Sequence, residues 1–250
     1  MKTAVSLPGF MALFLFLATP CFGLDLPQTF VTKDGFTIHL PKGWKPIPKE
    51  VLDKYSQAIA KMAPKAEKQE YDYGFQRSDT KKWFSYPYIL VQVKRTGRIP
   101  EVQLKALKRI KKELDKSFNK ATEALSEISS NASLGEPVYD PLSHILWSRI
   151  TIDIKGTGTV RGIIGTILTK EGFVQIACYA KDDEFGTYLP VFESTISTTE
   201  IRSSLRYGAE NRAGKTDGEE RGPEAVPWKT MMLVLIGTLL LFFGWRIWKK

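Results

Sequence analysis

The chain has 250 residues with 36 Lys and Arg against 27 Asp and Glu, a formal net charge of +9. Five of those cations, Lys2, Lys229, Arg246, Lys249 and Lys250, fall in end segments that hold no acid, leaving residues 24–228 with 31 basic and 27 acidic residues, a net of +4. That balance does not mark a nucleic-acid binder, and with Cys21 in the leader segment only Cys178 remains, which excludes an internal disulfide framework.

The N-terminus reads as a secretory signal over residues 1–23. Lys2 precedes the apolar run Phe10–Leu17, and Pro20-Cys21-Phe22-Gly23 supplies small residues for cleavage after Gly23. A lipid attached to Cys21 ranks second, because Pro20 suits that signal badly. At the other end, Thr230–Trp245 carries no charge, and Trp228, Trp245 and Trp248 flank it. This predicts a single transmembrane helix over 229–248, slightly short of the roughly 20 apolar residues of a usual span and extended by snorkelling Lys229 and Arg246. The tail 249–250 is purely basic, so the positive-inside rule puts it in the cytoplasm and the bulk of the chain in the periplasm. The organisation expected is thus a signal peptide 1–23, an extracytoplasmic domain 24–202, a flexible linker 203–228, the span and the tail. The linker is expected because Gly, Glu and Arg replace large apolar residues there.

Inside the domain, Phe30–Thr32 and Phe36–Leu40 read as a hairpin turning at Lys33-Asp34-Gly35. His39 falls on its polar side. Lys49–Ala63 has apolar residues at helical spacing and is closed by Pro64. Tyr71, Tyr73 and Phe75 alternate as a strand, and Tyr88–Val93 is a second strand of strong β character. The longest element begins at Pro100. Leu104, Leu107, Ile110, Leu114, Phe118, Ala121, Leu125 and Ile128 form one helical stripe. Lys105, Lys108, Arg109, Lys112, Lys116 and Lys120 fall on the opposite arc, a candidate interaction surface for an acidic partner or anionic lipid headgroups, set against the plainer reading of a solvated face. A three-stranded meander follows: Ile145–Ile154, Val160–Leu168 and Phe173–Ala180, joined at Gly156-Thr157-Gly158 and Lys170-Glu171-Gly172. A last helix is expected to be capped by Asp182 or Asp183, with Phe185, Leu189, Phe192 and Ile196 inward. The fold class is α+β, a mostly antiparallel sheet of about six strands packed with three helices.

This element order, with Ile38-His39-Leu40-Pro41-Lys42-Gly43-Trp44 after the opening hairpin, resembles the fold shared by the photosystem-associated PsbP proteins, the Ran-binding Mog proteins and the bacterial periplasmic DcrB lipoproteins. The resemblance covers about residues 28–200. It implies an α/β/α sandwich and a protein that binds others or helps to assemble membrane complexes, without catalysis and on the outer side of a bacterial cytoplasmic membrane. No functional residue is carried over.

The search for chemistry yields little. His39 and His144 are far apart in sequence, and a pairing of His144 with Cys178 has no sequence support. Cys178, in an apolar run, reads as a buried small hydrophobe. Asp182-Asp183-Glu184 suits a helix start better than a metal site. Gly156, Gly158 and Gly162 lack the lysine and following helix of a phosphate cradle, and Asn131-Ala132-Ser133 matches a glycosylation sequon. No catalytic, metal or cofactor residue is therefore assigned. The expectation is a membrane-held binding or assembly protein with a protein partner in or near the membrane. A small-ligand sensor or an enzyme with an unrecognised site are the alternatives.

Overall fold

The computed structural model describes residues 27–62, 70–101, 104, 118–119 and 129–208. The expected signal peptide, the expected linker beyond residue 208, the expected span and tail, and the six cations Lys105, Lys108, Arg109, Lys112, Lys116 and Lys120 lie outside the described residues. No helix among the described residues is long and apolar enough to cross a membrane.

The described chain builds two antiparallel sheets where the sequence suggested one. The opening hairpin, β1 (Gln28–Val31) and β2 (Phe36–Leu40), turns at Gly35 with φ +84°. It takes β11 (Glu200–Ile201) as a third strand, in the order β1-β2-β11. The main sheet runs β3 (Trp44–Pro46), β4 (Tyr73–Arg77), β5 (Tyr88–Lys94), β10 (Gly172–Lys181), β9 (Gly158–Thr169), β8 (Ile145–Ile154) and β6 (Ser129–Leu134), with β7 (Val138–Asp140) also pairing β8. The predicted meander is present: β8 has the expected bounds, β9 is three residues longer and β10 two. The short strands β3, β6, β7 and β11 carry no apolar alternation and went unread. Helix α1 spans Lys49–Met62 and α2 spans Asp182–Ser197. The N-cap of α2 is Lys181, whose side chain makes no cap, so Asp182 and Asp183 lie in the first turn instead.

Centre strands β9, from Gly162 on, and β10, up to Ala180, are buried on both faces, in keeping with their largely apolar sequences. On one face, α2 and the small sheet press Phe185, Phe192, Ile196, Ile38 and Leu40 onto Ile89, Val91, Ile163, Ile176 and Cys178. Gly165 makes that contact close: a Cβ there would stand 2.2 Å from Ile196 Cγ2. On the second face, Leu52 and Tyr55 of α1 meet Tyr71, Phe84, Tyr88, Ile150, Ile164 and Tyr179. Leu104 and Phe118 of the expected long stripe are each 2 % exposed on this second side, Phe118 among the tyrosines and Leu104 with Ile99, Leu168 and Phe173.

The body also continues past the expected domain end. A 3-10 turn at Ser203–Leu205 leads to Arg206, bridged to Thr169, and to buried Tyr207. Lys170 N–H donates to Leu205 O at 2.9 Å. Residues 203–208 therefore belong to the folded body although their composition is that of a linker.

Candidate functional site

Because α2 lies over β9 and β10, the outward side chains of β8 on that face stay open. There Trp147 and Arg149, Ile163 of β9, Glu193 and Ser197 of α2, and Gly135, Glu136 and Val138 between β6 and β7 bound a cleft of about 620 Å³. The local sequence explains the opening. Gly135 N–H donates to Arg149 O at 2.8 Å, so the chain between β6 and β7 crosses close to β8. Val138 sits opposite Trp147 in the ladder and is 61 % exposed. One wall is apolar, formed by Trp147, Val138 and Ile163. The other is charged, with the Arg149 guanidinium 3.6 Å from the Glu193 carboxylate. Ser197 Oγ donates to the backbone oxygen of Glu193 rather than to a base. Such a cleft can hold a small amphipathic molecule, and it offers no poised nucleophile.

The residues singled out in the sequence fall apart in space. His39 lies on the outer face of the small sheet, Nδ1 3.2 Å from Thr29 Oγ1 and Nε2 3.7 Å from Glu200. Cys178 is fully buried mid-strand, opposite Ile89 and Ile163, and burial pushes its thiol well above the ordinary range. His144 is at one end of the main sheet, in the left-handed region with φ +56°, where its Nδ1 sits 2.9 Å from Tyr139 Oη. The structure does not bring His144 and Cys178 together. Gly156-Thr157-Gly158 is a hairpin turn, and Asn131 is exposed on the edge strand β6. Among the described residues no group of three His, Cys, Asp or Glu could hold a metal ion.

The end of the sheet that carries His144 is where the described chain stops. Tyr207 is buried there, its ring 4.9 Å from that of His144 and 4.0 Å below the Arg98 guanidinium. Its hydroxyl donates to Ile99 O, and Arg98 donates to Gly208 O. Tyr139, alongside, is pushed up to about 12, by burial first and then by the neighbouring Tyr207 and Glu101. The same end holds a polar clasp between the two sheets. Tyr73 donates to Asp34 at 2.6 Å, Arg95 donates to Asp34 at 2.7 Å, and Arg95 lies 3.7 Å from Glu171. Neither the cleft nor the Tyr207 clamp was legible in the sequence. Each joins residues from separate strands and turns, and the aromatic at 207 inside a polar stretch was the one available signal.

No protein-family model matches the chain, and no curated protein matches it. In structure the chain is similar to cyanobacterial PsbP (CyanoP) from Synechocystis sp. PCC 6803, at 13 % identity over 74 % of this chain and 97 % of that one, with a TM-score of 0.45. It is also similar to LpqN, involved in cell envelope biogenesis of Mycobacterium tuberculosis, at 13 % identity over 70 % and 90 % of the two chains, with a TM-score of 0.34. A protein of unknown function from Pseudomonas aeruginosa, PA94, matches at 7 % identity over 71 % and 98 %, with a TM-score of 0.31. A PsbP structure, the family that the element order resembles, is thus among the matches.

Proposed function

We propose that the chain is a membrane-anchored periplasmic binding or assembly protein without catalysis, acting on a membrane protein complex at the bacterial cytoplasmic membrane. The observation that carries this reading is the order of the C-terminal parts. The folded body is pinned through Tyr207, and a polar stretch and then the uncharged run Thr230–Trp245 follow it. A signal segment at the other end agrees with that orientation. The described histidines and Cys178 sit in packing or cross-strand contacts, which favours binding over catalysis. The protein partner would meet the cationic residues Lys105, Lys108, Arg109, Lys112, Lys116 and Lys120, where a surface ion pair contributes less than about 1 kcal/mol and is screened by salt.

Crosslinking in intact membranes, comparing the full chain with an anchorless 24–227 form, tests this. A reproducible membrane complex recovered only with the full chain, and lost when Lys108, Lys112 and Lys116 are changed to Glu, is the expected result. Recovery of nothing beyond background would overturn it. The cleft beside Trp147 favours a second reading, a sensor for a small amphipathic ligand. A saturable emission change on adding such a ligand, abolished in Trp147→Phe, would establish it.

A further inference from the structure

We infer that the end of the main sheet from which the chain leaves at Gly208 is a docking surface for anionic lipid, setting how the tethered domain stands on its own membrane. The inference rests on the membrane-anchor reading above and adds an orientation to it.

Three observations converge on this end. The first is where the chain leaves. Gly208 is held by Arg98, and Tyr207 is clamped between Arg98 and His144, so the exit is fixed relative to the sheet. From there to the expected span run only residues 209–228. A coil of that length has a root-mean-square reach on the order of 25 Å, against about 33 Å for the ten residues of β8. The exit end is therefore the one kept within reach of the bilayer, and the opposite end, with the turn after Ile154 and the loop before Tyr88, stands away from it.

The second observation is Leu142. It projects from the turn Pro141–His144 at 92 % exposure, the most exposed large apolar side chain among the described residues. Its N–H donates to Asp140 Oδ1 and the neighbouring Ser143 hydroxyl donates to Asp140 Oδ2, so the turn that presents it is shaped from within. A lone exposed leucine is ordinary on a protein surface. One on a braced turn, two residues from a histidine packed on the exit tyrosine, is placed to enter the headgroup region.

The third is charge. Lys170, Arg202 and Arg206 are exposed around the exit, bound into it by the Lys170–Leu205 and Thr169–Arg206 pairings and by Arg202 N–H donating to Gly35 O. Of the carboxylates at this end, Asp34 and Glu171 lie against Arg95, while Asp140 and Glu101 keep their charge, two against the three cations Lys170, Arg202 and Arg206. Exposed cations and one apolar tip at the same end of the sheet suit an anionic lipid surface, where the cations find phosphate and the leucine leaves water.

The test uses the full chain reconstituted into vesicles of phosphatidylcholine alone or mixed with phosphatidylglycerol. An environment-sensitive fluorophore is placed at Leu142→Cys or, as the far-end reference, at Lys81→Cys, with Cys21 replaced by Ser; the native Cys178 is buried and does not compete. Quenching by headgroup spin-labelled lipid is expected to be several-fold stronger at position 142 than at 81. It should require the anionic lipid, and it should fall to the reference level at raised salt or in Lys170→Glu/Arg202→Glu/Arg206→Glu. Co-flotation with vesicles but equal, weak quenching at both positions would overturn the docking surface and leave the anchor intact. Failure to co-float with either vesicle would overturn the anchor reading and this inference with it.

Discussion

The two faces of the main sheet solve the same packing problem with different chemistry. Under α2 the buried contact holds no tyrosine: Ile38, Leu40, Ile89, Val91, Ile163, Ile176 and Ile196 pack with the rings of Phe36, Trp44, Phe75, Phe185 and Phe192. The second face is rich in tyrosine and partly polar. Tyr55 stacks on Phe84 at 4.1 Å between ring centres, Tyr88 packs edge-on to Phe84, and Tyr179 and Tyr71 complete the cluster. Next to it a buried polar row crosses the sheet through Gln92, Gln175 and Thr166, cross-strand neighbours that are each 2 % exposed. Apolar packing depends on shape alone, whereas a buried polar row adds a condition that its members keep their hydrogen bonds.

Substitutions on the two faces break this comparison in order of size. Phe192→Ala on the α2 face removes a ring with no solvent exposure. It is expected to cost about 3–5 kcal/mol in urea unfolding of the domain, because the surroundings relax only partly around the cavity. Gly165→Ala comes next. Its methyl must displace Ile196, at a cost of about 1–3 kcal/mol, and adding Ile196→Ala should recover part of that loss. Strict additivity of the two changes would show that the close approach is not what demands glycine.

On the second face, Gln175 donates to Thr166 Oγ1 at 3.3 Å. Thr166→Val alone removes this acceptor from a buried amide and is expected to cost about 1–3 kcal/mol, while Thr166→Val/Gln175→Leu should return to within about 1 kcal/mol of the parent. Equal loss in the single and double variants would mean that volume, not polarity, governs this face too.

The smallest effect concerns the clasp between the sheets. Burial pulls the Asp34 carboxyl upward, but the hydrogen bonds from Tyr73 and Arg95 and the charges of Arg95 and Lys33 outweigh it and hold it below the ordinary range. Tyr73 answers by rising to about 12, through burial first and then Asp34. A carboxyl lowered in the folded state stabilises above its unfolded value of 3.8, and the contribution is lost as pH falls through that value and on through the lower folded one. Tyr73→Phe should therefore cost about 1 kcal/mol at neutral pH and flatten the acid limb of a stability–pH curve. An unchanged acid limb would place the pH dependence elsewhere.

Periodicity made much of this molecule readable. Phe36–Leu40, Tyr88–Val93 and the meander Ile145–Ala180 alternate or are largely apolar, and α1 and α2 carry apolar residues at helical spacing. Strands such as Trp44–Pro46 and Glu200–Ile201 are made by their neighbours' free backbone groups, so their own residues hold no pattern to read. The same holds for the body's C-terminal limit. Ser203–Gly208 has linker composition, yet Tyr207 finds Ile99, Leu168 and Phe173 at a sheet end that forms only when distant strands meet.

Local pattern alone made the α+β character, the long meander and the helices that pack on it readable in the sequence. Only the tertiary structure decided that the opening hairpin forms a sheet of its own, that α2 leaves Trp147 and Arg149 facing a cleft, and that Tyr207, His144, Arg98 and the exposed Leu142 gather where the chain departs. Those features join residues on different strands and turns, and a one-dimensional pattern carries no record of which strand becomes the neighbour of which.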